Sequence, residues 1–63
     1  RAVSRKSLFF SKNLKKGHVL LLEDLTLKRP GSGLYAKTIP DLLGKKLISN
    51  IEADSMVNIK DFE

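Results

Sequence analysis

Apolar residues occur along this chain in short runs separated by turn-forming residues, and no stretch keeps a helical period for long. The run 7–10 (Ser-Leu-Phe-Phe) is rich in aromatic residues, which favours a strand. Further short strands are predicted at 18–21, 26–28, 46–49 and 56–58. Tight turns are predicted at 15–17 and 52–54, and one-turn helices at 23–25 and 60–62. The pattern therefore predicts a mostly β domain of short strands and one-turn 3-10 helices.

One slightly longer helical segment is predicted before Gly44. Thr38 can cap it, and Pro40 suits a first helical turn because it lacks the amide proton that such a turn leaves unpaired. Gly44 can end it by adopting a positive φ. Leu42 and Leu43 would pack inward from this short helix.

The segments 12–25 and 49–62 share one pattern of apolar positions, and Asn13 aligns with Asn50. Two such copies are too few for a solenoid, but they can form a small domain with approximate two-fold symmetry. Each copy would then supply half of a shared core. The core positions expected from the alignment are Leu14, Leu22, Ile51 and Ile59.

The composition sets the size and the charge of the domain. Sixty-three residues with 41% apolar content suit one thin globular domain. Twelve Lys and Arg against seven Asp and Glu give a net charge of +5, concentrated in the first part of the chain. Such a basic region is a solvated face or a surface for nucleic acid, anionic lipid or an acidic protein. Three of the four aromatic residues lie in apolar contexts, where core packing is the default, so we predict neither a nucleic-acid nor a membrane partner and rank nucleic-acid binding last among the possible functions.

Several kinds of site are not indicated by the sequence. There is no cysteine, and hence no disulfide or Cys-based zinc site, and no apolar run is long enough to span a membrane. His18 is the only histidine, and it has no metal ligand or nucleophile at a suitable spacing. Asp24 and Asp61 belong to the predicted one-turn helices, where acidic residues are favoured structurally. We therefore predict no catalytic, cofactor-binding or metal-binding residue in this chain.

The most specific strings are Lys28-Arg29-Pro30-Gly31-Ser32-Gly33, a loop by composition, and Leu42-Leu43-Gly44-Lys45-Lys46. With the turns at 15–17 and 23–25 before them, they resemble the SAF domain, which is named for sialic acid synthases and antifreeze proteins. The resemblance extends from Lys6 to Phe62. The Arg-Pro-Gly and Leu-Gly-Lys strings are similar to those of the N-acetylneuraminate synthase family and its legionaminic and pseudaminic relatives.

The resemblance implies a pretzel-like β-clip with pseudo-two-fold symmetry for residues 6–63, and a linker remnant for residues 1–5. Because the chain begins at Arg1 rather than Met, we expect the C-terminal piece of a longer cytoplasmic enzyme. Its N-terminal TIM barrel would hold a divalent metal and condense phosphoenolpyruvate with N-acetylmannosamine or a related sugar. In a domain-swapped homodimer, this domain would cover the partner's active site. Arg29 would there contact the N-acetyl group of the sugar.

The chemistry of the residues around Arg29 agrees with that role. A residue before proline is biased toward extended conformations, so Arg29 should project from its loop. Gly31 and Gly33 allow the backbone to turn and to approach another surface closely, and we expect a mobile loop here in the absence of a barrel. A guanidinium offers fixed donors that suit a carbonyl or carboxylate oxygen. Without the resemblance, Arg29 would be a solvated surface residue.

Two other functions stay open. The chain could be a free-standing SAF binding module of another pathway, such as a pilus or flagellar assembly chaperone or a sugar-acid dehydratase. It could also be an ice-binding antifreeze protein, since the family that it resembles includes proteins whose ice-binding surface is a flat, uncharged patch. Lys15, Lys16 and His18 fall in the corresponding stretch and disfavour ice binding.

Overall fold

The computed structural model describes residues 5–29 and 31–63. Strand β1 (Ser7–Phe10) pairs in antiparallel fashion with strand β2 (Leu25–Lys28), in a register from Ser7 opposite Lys28 to Phe10 opposite Leu25. The predicted strand at 7–10 is confirmed, and the one predicted at 26–28 begins slightly earlier. This pairing places the end of β2, and so Arg29, next to the start of β1.

The other predicted strands are single bridges rather than strands. The segments 18–21, 46–49 and 56–58 form only isolated bridges, which pair Phe9 with Met56, Val19 with Lys46, and Leu47 with Phe62. A further bridge, outside the predicted strands, pairs Leu14 with Ile51. The reason is that the chain bends into a turn or a 3-10 helix soon after each bridge, so that the ladder cannot continue. The predicted one-turn helices are confirmed, each one residue earlier than predicted, as the 3-10 helices Leu22–Asp24 and Ile59–Asp61.

The sequence repeat corresponds to a two-fold arrangement of hydrogen bonds. At its centre, Leu14 and Ile51 donate to each other's carbonyl oxygens at 2.9 and 2.8 Å. Gly17 donates its N–H to Leu47 at 2.8 Å, and the equivalent Asp54 donates to Phe10 at 2.8 Å. The two aligned copies therefore form equivalent contacts with each other around one core.

The turns of the two copies are also equivalent in conformation. Gly17 has a φ of +88°, and the aligned residue Asp54 has a φ of +68°. Glycine reaches this left-handed region without cost, and Asp is one of the few other residues that enter it. The predicted turns at 15–17 and 52–54 thus use the same backbone geometry with different side chains.

The core lies between the two copies. Its buried side chains are Leu8, Phe10, Leu14, Leu20, Leu42, Leu47 and Val57. Of the expected core positions, Leu14 is buried and Ile51 is partly buried against the core.

The prediction was wrong for Leu22 and Ile59, which are each 61% exposed. An unbroken strand would have placed Leu22 on the same face as the buried Leu20. However, each of the two residues begins a 3-10 helix, which rotates its side chain away from the core.

The predicted helix is present, but it begins differently. A 3-10 helix (Ala36–Thr38) leads directly into α1 (Ile39–Leu42), so Thr38 is already helical and its side chain makes no cap hydrogen bond. Gly44 follows with a φ of +88°, consistent with the predicted end. Leu42 is buried as predicted, whereas Leu43 is exposed because the backbone has become extended there. Among the described residues, no helix has the length and apolar character to cross a membrane.

Candidate functional site

The loop that carries Arg29 is held where it leaves the sheet. Lys28 is the last residue of β2, and its Nζ lies 2.9 Å from Oδ1 of Asp54. The same Nζ lies 4.9 Å from the centre of the Phe9 ring, within the range of a cation–π contact. The backbone immediately before Arg29 is therefore held by the sheet, and the Lys28 side chain makes surface contacts with Asp54 and Phe9.

The loop is held again where it returns to the domain. Leu8 donates its N–H to the carbonyl oxygen of Leu34 at 2.8 Å. A Cβ at Gly33 would lie only 2.7 Å from Sδ of Met56, and a Cβ at Gly31 would lie 2.6 Å from Cβ of Arg5. Both glycines thus pack closely against their own chain, while the predicted approach to another surface stays a prediction. Their mobility stays a prediction, and Pro30 lies outside the described residues.

Arg29 is exposed at the start of this loop. No hydrogen bond or ion pair joins its side chain to another residue of the ranges 5–29 and 31–63. A guanidinium with unused donors on a loop held at both ends can bind an oxygen atom of another molecule.

Arg5 lies beside this loop and was not singled out from the sequence, where it fell in the expected linker. Its guanidinium carbon lies 4.6 Å from the centre of the Tyr35 ring. Arg5, Tyr35, Ala36 and Lys37 line a shallow depression of about 310 Å³. No local signal could have found this arrangement, because Arg5 and Tyr35 are distant in the sequence. Residues 1–4 of the expected linker lie outside the described residues.

The burial of Asp24 and its contacts with His18 and Lys12 were not predicted from the sequence. Asp24 is 2% exposed, and its Oδ2 accepts hydrogen bonds from Nε2 of His18 at 2.7 Å and from the N–H of Leu21 at 2.9 Å. Nζ of Lys12 lies 3.6 Å from Oδ1. Burial raises the pKa of Asp24, but the hydrogen bonds and the neighbouring cations outweigh it, so the pKa lies below its ordinary value of 3.8.

The predicted structural role of the two aligned acids is confirmed. Asp24 accepts the N–H of Leu21, and Asp61 accepts the N–H of Asn58 at 2.9 Å, in each case just before a 3-10 helix. A carboxylate in this position satisfies a backbone donor that the helix leaves free. His18 contacts only Asp24 of this pair, so the two copies differ in chemistry at otherwise equivalent positions.

The described residues do not fit a divalent metal site. No group of three or more His, Asp or Glu side chains in the ranges 5–29 and 31–63 is arranged to hold an ion. No chemical step is therefore assigned to a metal on this chain.

Comparison with known proteins relates this geometry to a family. The chain is 38% identical over 60 residues to pseudaminic acid synthase from Campylobacter jejuni, covering 95% of this chain and 18% of that protein. It is 38% identical over 53 residues to N,N'-diacetyllegionaminic acid synthase from Legionella pneumophila, covering 84% of this chain and 15% of that protein. It is 42% identical over 53 residues to N-acetylneuraminate-9-phosphate synthase from Drosophila melanogaster, covering 82% and 14%. The chain thus spans less than a fifth of the length of these relatives.

A solved structure and a family model agree on the fold. The chain superimposes with a TM-score of 0.88 on the solution structure of an antifreeze-protein-like domain in human N-acetylneuraminic acid phosphate synthase. The match covers 100% of this chain and 80% of that one at 23% identity. The family model described as the SAF domain matches residues 5–63. The chain therefore belongs to the SAF domain family.

Proposed function

We propose that this chain is the C-terminal, substrate-capping and dimerisation domain of a synthase that makes a sialic-acid-type sugar. Its family supports this, since three of its relatives are synthases for pseudaminic, legionaminic and phosphorylated N-acetylneuraminic acid. The single observation that carries the proposal is the exposed Arg29, free of partners among the described residues and presented by a loop held at both ends.

Arg29 acts by binding, not by chemistry. Its N–H groups donate to the carbonyl oxygen of the sugar's N-acetyl group in the partner subunit's active site. Because Lys28 and Leu34 already hold the ends of the loop, little additional ordering is needed when the sugar binds. In the intact homodimer the domain excludes water from the site and contributes this one contact.

The reaction itself takes place outside this chain. Carbon 3 of phosphoenolpyruvate forms a bond to the carbonyl carbon of N-acetylmannosamine or a related sugar, and water enters as inorganic phosphate leaves. A divalent metal would be held by residues of the barrel, because the described residues of this domain do not fit one. The enzyme is proposed to work in the cytoplasm, where phosphoenolpyruvate is available.

The test uses the full-length polypeptide that carries this domain, as wild type, Arg29→Ala and a control, Lys60→Ala. Lys60 is another exposed cation, on the 3-10 helix Ile59–Asp61. We expect the wild type to form the nine-carbon sugar acid and release phosphate. Arg29→Ala should lower kcat/KM by about 10- to 100-fold, the loss expected for one hydrogen bond from a charged group, while Lys60→Ala stays at the wild-type value.

The same assay decides between this proposal and a free-standing SAF binding module. If the wild type turns over neither this pair nor the bacterial analogues of the sugar, the synthase assignment fails and the binding module becomes the better proposal. If the wild type is active and Arg29→Ala is unaffected, the domain acts only in dimerisation. Circular dichroism of each variant shows that loss of activity is not loss of folding.

Ice binding is a second candidate because the superimposed human domain is described as antifreeze-protein-like. In the present chain, Lys15 and Lys16 are exposed in the turn next to His18. Charged, strongly hydrated side chains there oppose the flat, uncharged contact that ice requires. We expect no thermal hysteresis from this chain, and a clear hysteresis would place ice binding first.

A further inference from the structure

We propose that Arg5, Tyr35 and Lys37 form a binding site for an oxyanion, a carboxylate or phosphate group, distinct from the contact assigned to Arg29. These residues line a depression of about 310 Å³ together with Ala36. The lining contains two cations and no acid. The inference does not depend on the proposed function, because it concerns only what this depression binds.

The Arg5 side chain is held in place before any ligand arrives. Its guanidinium carbon lies 4.6 Å from the centre of the Tyr35 ring, so the ring supports the group by a cation–π contact. At its other end, the backbone of Arg5 packs so closely on Gly31 that an added Cβ there would lie 2.7 Å from the carbonyl carbon and oxygen of Arg5. Both ends of Arg5 are thus fixed, which lowers the cost of ordering it on binding.

The donors of the site are unused within the described part of the chain. No carboxylate of residues 5–29 or 31–63 forms an ion pair with Arg5 or Lys37, whereas Lys28 is paired with Asp54 at 2.9 Å. A guanidinium that lies over a ring keeps the N–H groups at its edge available, and these match the two oxygens of a carboxylate or phosphate. Lys37 adds a second positive charge to the same depression.

The experiment is a titration of the isotope-labelled 63-residue chain, followed by amide and Arg side-chain NMR signals at constant ionic strength. The probes are inorganic phosphate and a short polyglutamate peptide, each balanced against chloride. We expect saturable shifts that are concentrated at Arg5, Tyr35, Ala36 and Lys37. Shifts spread evenly over all basic residues would overturn the proposal, because they would indicate general attraction to a positively charged chain.

Variants make the test specific. Arg5→Gln keeps the Cβ and backbone contact with Gly31 but removes the charge, and should weaken binding by about tenfold or more. Tyr35→Phe keeps the ring and should bind as the wild type does, whereas Tyr35→Leu should bind less tightly. Lys16→Gln removes an exposed cation of the turn at 15–17 and should change nothing. Equal binding by Arg5→Gln and the wild type, with both folded, would overturn the site.

The two probes also identify the source of the oxyanion. If the peptide binds more tightly and phosphate displaces it from the same residues, the site takes a carboxylate of a protein partner. If phosphate binds and the peptide does not, the site takes a small anionic metabolite. Either result supports the site, and failure of both probes to bind overturns it. If both probes failed to bind, a loss of kcat/KM in Arg29→Ala would still support the proposed function, so the two proposals can fail separately.

Discussion

Asn13 and Asn50 each accept a backbone hydrogen bond from the opposite copy of the sequence repeat, across the internal two-fold axis. Oδ1 of Asn13 accepts the N–H of Ala53 at 2.7 Å, and Oδ1 of Asn50 accepts the N–H of Lys16 at 2.9 Å. Each amide side chain thus fixes the turn of the other copy. This reciprocal exchange gives the two aligned asparagines the same structural role in both copies.

We predict that Asn13→Ala and Asn50→Ala each lower the free energy of unfolding by about 1 kcal/mol, the typical net value of one hydrogen bond. Urea denaturation followed by circular dichroism measures this. Lys60→Ala is the control, because the side chain of Lys60 is exposed and forms no ion pair within the described residues. An equal loss in all three variants would show that the contacts across the axis contribute nothing specific.

A second prediction separates Leu20 from Leu22. Leu20 is 1% exposed in the core, whereas Leu22 is 61% exposed at the start of a 3-10 helix. Leu20→Ala should cost about 2–5 kcal/mol, enough to leave so small a domain largely unfolded, while Leu22→Ala should cost less than about 1 kcal/mol. Thermal unfolding of the two variants measures the difference. A loss at Leu22 as large as that at Leu20 would contradict the assigned burial.

The parts of the fold that depend on local pattern could be predicted from the sequence. The strand at 7–10, the turns at 15–17 and 52–54, and the two one-turn helices each follow from residue types within a few positions. The two-fold arrangement was also visible, since a duplicated pattern needs no knowledge of the tertiary structure.

It was harder to predict which side chains point into the core and which residues form the candidate site. Leu22 was expected in the core because it aligns with the apolar Ile59 in the repeat, but both residues begin a 3-10 helix and are exposed. The contacts of Arg5 with Tyr35 and of His18 with Asp24 join residues that the sequence does not relate to each other. The substrate-binding role predicted for Arg29 came from the family resemblance, because exposure alone does not distinguish Arg29 from the other basic residues.

The third prediction concerns acid stability. Since the pKa of Asp24 is lowered in the folded state, its ionised form stabilises the fold at pH values above the ordinary pKa of 3.8. That contribution is lost as the pH falls through the lowered pKa. The difference in unfolding free energy between wild type and Asp24→Asn should therefore shrink between about pH 5 and pH 2. Urea denaturation across this range measures it.

Asp61→Asn is the control for the acid-stability measurement. Asp61 accepts an equivalent backbone N–H but has no histidine or lysine partner among the described residues. We expect its substitution to change the pH dependence less than Asp24→Asn does. A difference between wild type and Asp24→Asn that stays constant over the whole range would contradict the lowered pKa.

The last prediction ranks the two glycines of the Arg29 loop. A Cβ at Gly31 would meet the backbone of Arg5 at 2.7 Å, which cannot yield without moving the chain, whereas a Cβ at Gly33 would meet Sδ of Met56 at 2.7 Å, on a flexible side chain. Gly31→Ala should therefore cost about 1–3 kcal/mol and Gly33→Ala less. Urea denaturation measures both. In a Met56→Ala background, where the sulfur atom is gone, Gly33→Ala should lower the free energy of unfolding by less than it does in the wild type. If Gly33→Ala proved the more costly, the loop would not lie against Arg5, and the fixed backbone inferred for Arg5 would be wrong.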